Sequence, residues 1–112
     1  MAQQALGNVQ PASTTVGLPA TNNLANPAQS FNVQALQFQA LGTNTSSVYI
    51  VDRQTPNLAL NVLAEIPPPS ATPATRPGWT IGNPTAPAAL DASTFWILPA
   101  VAGEGVRVTA VR

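Results

Sequence analysis

The run Phe31-Asn32-Val33-Gln34-Ala35-Leu36-Gln37-Phe38-Gln39-Ala40 alternates apolar with amide side chains. Phe31, Val33 and Ala35 hold one phase, and Leu36, Phe38 and Ala40 hold the other. A period of two is that of a strand with one apolar face, and the slip between Ala35 and Leu36 predicts a bulge. Gln, Ala and Leu are also good helix formers. No i, i+3, i+4 stripe emerges, so strand is the better reading. Gly42-Thr43-Asn44-Thr45-Ser46 then has the composition of a turn. Ser47-Val48-Tyr49-Ile50-Val51, β-branched and aromatic, predicts a second strand.

Further along the chain the same alternation of strand and turn signals continues. Residues 57–66 are apolar enough for a strand or a short turn of helix. Residues 67–78, PPPSATPATRPG, read as a proline-rich loop unable to hold a sheet ladder. Trp79-Thr80-Ile81 is a short strand, and Ser93-Thr94-Phe95-Trp96-Ile97-Leu98 a buried strand ended by Pro99. Gly103-Glu104-Gly105 is a tight turn, after which Val106, Val108 and Ala110 alternate with Arg107 and Thr109. Short strands between Gly/Pro turns predict an all-β domain over residues 31–112, a small β-sandwich or barrel. Val48, Ile50, Val106 and Val108 should point inward, and Tyr49, Arg107 and Thr109 outward or to an interface. Phe95 and Trp96 fall on opposite faces of their strand.

Composition narrows the chemistry. The 112 residues make one domain, long enough to bury roughly two-thirds of its unfolded surface. Charged residues are 7% of the chain against a typical ~25%. Arg53, Arg76, Arg107 and Arg112 balance Asp52, Glu65, Asp91 and Glu104; there is no Cys, His or Lys. A disulfide framework, a thiol nucleophile, a thiolate zinc site, a Ser-His-Asp triad and a Schiff-base lysine are all excluded. Four scattered arginines at zero net charge do not neutralise a phosphate backbone, so no nucleic acid is expected as a partner. No basic leader with an apolar core opens the sequence, and its longest apolar stretch, 95–103, is interrupted by Pro99. Neither a Sec-type signal peptide nor membrane association is expected. No cofactor is expected either.

Residues 1–30 differ from the rest. Leu6, Val9, Val16, Leu18 and Leu24 follow neither the 3.6 nor the 2.0 period, and Pro11, Pro19 and Pro27 punctuate the segment. No charged side chain precedes Asp52. Such a segment has little electrostatic protection against self-association if it floats in water. It reads as an extended N-terminal arm that lies along a sister subunit or another partner, with Leu6, Val9, Val16, Leu18 and Leu24 as apolar anchors; an arm wrapped on its own domain is the alternative.

The candidate reactive groups are few. Asp91 and Glu104 could pair for acid–base work, but each sits beside a turn and nothing in the spacing brings them together. No oxygen-rich loop of calcium-binding form is present. Asn44-Thr45-Ser46 matches the N-glycosylation pattern and reads better as turn chemistry. Trp79 and Trp96 could line a sugar-binding shelf; core or interface packing is the commoner role for such rings. Pro67-Pro68-Pro69 reads as a stiff loop. The expectation is a protein that is not an enzyme.

Three segments taken together resemble small β-rich virion structural proteins of tailed bacteriophages. They are Asn44-Thr45-Ser46-Ser47-Val48-Tyr49-Ile50, Asp91-Ala92-Ser93-Thr94-Phe95-Trp96-Ile97 and Gly103-Glu104-Gly105-Val106-Arg107-Val108. The resemblance covers about residues 31–112 and is a pattern of turns and strands, without a catalytic signature. It implies a particle-building role. The form expected first is a capsid decoration (cement) protein that bridges major capsid protein subunits as a homotrimer on the virion surface, assembled in the host cytoplasm. A tail, neck or fibre module contacting glycan is the alternative. On either, Trp79 and Trp96 join the arm's apolar residues as interface candidates.

Overall fold

The computed structural model describes residues 3–71, 74–83, 85 and 87–112, with no side-chain account of residues 70, 71, 74 and 75. The chain is all-β, as its patterning predicts. Two antiparallel four-stranded sheets form a sandwich-like pair. The first contains β1 (Gln3–Val9), β12 (Val106–Val111), β4 (Ala35–Ala40) and β9 (Gly78–Gly82), in that spatial order. The second contains β2 (Leu18–Pro19), β11 (Trp96–Pro99), β5 (Val48–Val51) and β6 (Val62–Ile66). Two smaller ladders join β3 (Asn32–Val33) to β10 (Leu90–Asp91) and β7 (Ser70–Ala71) to β8 (Ala74–Thr75).

The core lies between the sheets. Leu36, Phe38, Val106 and Val108 of the first sheet meet Val48, Ile50, Ile66 and Ile97 of the second, all but fully buried. Each is an alternate residue of its strand, which is why one phase of the period-two pattern disappears from solvent. Tyr49 and Thr109 are half-buried and Arg107 is exposed, as the alternation requires. Phe95 enters the core and its neighbour Trp96 does not. Phe38 is the central ring, stacked on Trp79 at 5.9 Å and tilted against Phe95 at 6.3 Å.

The phase slip near Ala35 marks a strand break rather than a bulge. Gln34 bends between β3 and β4, so Val33 and Ala35 are both buried although they belong to different ladders. From Ala35 onward β4 pairs with β12 in unbroken register, Ala35 opposite Val111 through Ala40 opposite Val106.

Three further expectations are corrected. The proline-rich segment does hold a ladder: Ser70 pairs with Thr75 and Ala71 with Ala74, on residues that retain their N–H groups. The strand expected over residues 93–98 starts later. Asp91 caps a 3-10 turn at Ala92–Thr94, β11 begins at Trp96, and Pro99 remains in the ladder opposite Val48.

The third correction concerns residues 1–30, which are no separate arm. β1 pairs with β12 from Gln3 opposite Val111 to Val9 opposite Val106. Leu18 and Pro19 pair with Ile97 and Trp96. Leu6, Val9 and Ala20 are buried in the common core. Gly7, at φ +89°, sits where the register shifts between Ala5 and Gly7, and this turns Leu6 and Val9 to the same interior. The expected boundary at residue 30 therefore does not divide the fold.

Candidate functional site

Residues 44–46 and 104–105 meet in one hydrogen-bonded latch, and Asp91 and Ser93 form a second with Phe31. In the first, Asn44 is buried in the turn after β4. Its Nδ2 donates to the Gly105 carbonyl at 2.7 Å and its Oδ1 accepts from the Gly105 N–H at 3.2 Å. Beside it, the Glu104 carboxylate accepts from the Thr45 N–H at 2.8 Å, the Thr45 hydroxyl at 2.7 Å and the Ser46 N–H at 3.0 Å. Desolvation would raise the Glu104 pKa; the bonds from the Thr45 hydroxyl and the Thr45 and Ser46 N–H groups outweigh it and hold the carboxyl below its ordinary value. Gly105 admits no side chain, because a Cβ there would fall on the Val9 carbonyl. The turn before β12 is thereby pressed against β1 on one side and bolted to residues 44–46 on the other.

The second latch centres on Asp91. Its Oδ1 accepts from the Phe31 N–H at 3.0 Å, the Ser93 N–H at 3.0 Å and the Ser93 hydroxyl at 2.7 Å. Partial burial pushes its pKa up, and these bonds, with one from the Ser30 side chain, bring it below the ordinary value. Next to this latch the Arg112 guanidinium lies 4.3 Å from the centre of the Phe31 ring.

These arrangements account for both candidate carboxylates. Each engages its own loop partners, and neither shares a hydrogen bond with the other. A carboxylate held ionised by N–H and O–H donors is poorly suited to act as a general acid near neutral pH. The glycosylation-like triplet is turn chemistry, because the Asn44 amide is already committed inside the protein. Among the described residues no group of three or more Asp and Glu could hold a metal ion. No described helix is long and apolar enough to cross a membrane.

The expected interface residues scatter. Leu6 and Val9 are core residues and present nothing to a partner. Leu18 and Leu24 are half-buried against that core. Leu24 also lines a pocket of about 210 Å³ with Ala25, Asn26, Gln29, Ser30 and Phe31. Val16 is exposed. Trp79 is half-buried on the first sheet and packs inward on Phe38, while Trp96 belongs to the second sheet beside Val51 and Pro19. The two rings form no common shelf.

Two surfaces went unread in the sequence. The outer face of the first sheet presents cross-strand rows of small and polar residues, Ala5–Thr109–Gln37–Thr80 and Asn8–Arg107–Gln39–Gly78. Arg107 is the charge in these rows. The signal was available in the polar phase of each strand, but which strands adjoin was not. On the other sheet Leu58, Leu60 and Leu63 stand exposed around the start of β6. The absence of any charge between Arg53 and Glu65 was the cue to that patch.

No family model, curated protein or solved structure matches this chain.

Proposed function

We propose that this chain is a structural component of a bacteriophage particle, a capsid decoration protein that seats on the head shell and bridges major capsid protein subunits. The observation that carries the reading is the outer face of the first sheet. Four strands wide, it offers amide and hydroxyl groups with Arg107 as the charge in its central rows. Charge depletion at the centre of a contact keeps desolvation small, and amides and hydroxyls can satisfy backbone groups on a partner. The resemblance to small virion proteins supports the same reading. Its shared residues here are latches that brace the ends of β12, the strand on which that face is centred.

Binding to the assembled shell and not to free subunits stabilises the shell by mass action, and joining several weak contacts in one homotrimer multiplies the effect. The proposal includes no catalytic step. A glycan-contacting tail or fibre module is the weaker reading, since Trp79 and Trp96 lie on different sheets.

The test is electron microscopy of virions labelled for this chain. Even labelling over the head is expected, and substitution of Arg107 and Gln37 by Glu should strip it while the isolated protein stays folded. Label confined to the tail or its tip, or heads that retain the doubly substituted protein, would overturn the proposal.

A further inference from the structure

We propose that the pocket in the loop between β2 and β3 binds a neutral sugar, one pyranose ring of a glycan. The proposal does not depend on the capsid reading, and it involves neither Trp79 nor Trp96.

The pocket encloses about 210 Å³ between Leu24, Ala25, Asn26, Gln29, Ser30 and Phe31. Drug-sized ligands occupy about 300–1,000 Å³, so this smaller space suits a single ring. Its walls are held in place from within the protein. Thr21 is fully buried, and its hydroxyl donates to the Pro27 carbonyl at 2.7 Å, which draws the loop closed. Two turns shape it further: the Leu24 N–H donates to the Thr21 carbonyl at 2.9 Å, and the Gln29 N–H to the Asn26 carbonyl at 3.0 Å. Phe31 is fixed by the segment that follows β10. Its N–H donates to Asp91 Oδ1 at 3.0 Å, its carbonyl accepts from the Ala92 N–H at 2.9 Å, and the Arg112 guanidinium stands 4.3 Å from its ring centre. A loop already ordered by its own bonds loses little entropy when a ligand settles in it.

The chemistry of the lining selects the ligand. Leu24 and Phe31, both half-buried, supply its apolar part, while Asn26, Gln29 and Ser30 are exposed to solvent. Among the described residues the Asn26 and Gln29 side-chain amides have no hydrogen-bond partner. The Asn23 and Asn44 amides, by contrast, are spent on backbone groups of their own chain. A primary amide offers donors and an acceptor side by side, the pattern that neighbouring sugar hydroxyls complement. A pyranose also carries C–H groups on one face, and these suit the negative face of an aromatic ring. None of the lining residues carries a formal charge, so an ionised ligand would lose its water without finding a counter-charge among them. An aliphatic side chain from a protein partner would cover Leu24 and Phe31 but leave both amides unused.

The test is a titration of the nitrogen-15-labelled protein with the methyl glycosides of glucose, galactose, mannose and N-acetylglucosamine, followed by nuclear magnetic resonance. At least one glycoside should shift the side-chain amide signals of Asn26 and Gln29 saturably, with a Kd on the order of millimolar. Asn26→Ala and Gln29→Ala alter exposed side chains without protein partners, so both should keep the wild-type Tm, and each should weaken binding about tenfold or more. No saturable shift of these signals with any of the glycosides at roughly 50 mM, well above such a Kd, overturns the proposal. So does binding that is unchanged in both variants. So does N-acetyl-leucinamide binding there more tightly than every glycoside, which would make the pocket a seat for a protein side chain.

Discussion

Replacing Asn44 by Ala should be among the most destabilising single changes in any loop of this protein. The side chain is 6% exposed and serves both backbone groups of Gly105. Without it the Gly105 N–H has no partner, and the Gly105 carbonyl keeps only a 3.4 Å bond from the Leu41 N–H. A buried backbone group left unmade costs about 1–3 kcal/mol. One orphaned donor and one poorly served acceptor together give about 2–4 kcal/mol. In a domain of this size that lowers Tm by on the order of 10 °C. Asn44→Asp is the sharper variant. It keeps an acceptor for the Gly105 N–H but sets a carboxylate oxygen against the Gly105 carbonyl, so it should stabilise no better than alanine above pH 5. Thermal unfolding followed by circular dichroism measures both. An Asn44→Ala protein melting within 3 °C of wild type, on the order of 1 kcal/mol or less, would refute the argument that this amide holds the turn.

Other outcomes follow from burial and charge. Deleting residues 1–30 should leave a chain without a cooperative melt, because Leu6, Val9 and Ala20 line the core and two strands are lost with them. A truncated protein with wild-type Tm would restore the separate arm. Val48→Asp and Val108→Asp should each fail to fold in solubility and circular-dichroism assays, since both positions are fully buried and an unpaired charge there costs several kcal/mol. Acid should weaken the latches. Asp91 and Glu104 have folded pKa values below their unfolded ones, so their stabilisation is complete above the unfolded values and is lost as pH falls through the folded ones. Tm should hold from neutrality to about pH 5 and decline below about pH 4, and Glu104→Gln should make the decline shallower.

The strands that the sequence makes plain are those with an uninterrupted period of two. β4 shows it from Leu36 to Ala40 and β12 from Val106 to Ala110, and their inward faces are the predicted ones. β1 hides the same architecture. The register shift at Gly7 places its two core residues, Leu6 and Val9, three apart, a spacing that fails the strand test and does not repeat often enough to pass the helix test. β2 has only two residues, too few to show any period. Low charge and regular prolines then made the segment look detached when it is integral. The latches were half legible. Turn composition around Asn44 and Glu104 announces backbone hydrogen bonding, but a partner some sixty residues away leaves no local trace. The polar face of the first sheet was legible strand by strand and invisible as a surface, since it depends on β9 and β1 flanking the β4–β12 pair.

The position of β12 between β1 and β4 also sets the order of events during synthesis. While the ribosome is still making β12, β1 has no ladder partner, and β4 can pair only with β9. Leu6, Val9 and one edge of β4 must wait for the strand that completes the sheet. Closure of this half of the sandwich therefore waits on pairings between distant parts of the chain, and is slow in the manner of proteins built from such pairings. The waiting segments carry no charge to keep nascent chains apart, so crowded synthesis favours aggregation, and slower translation or lower temperature should improve the soluble yield.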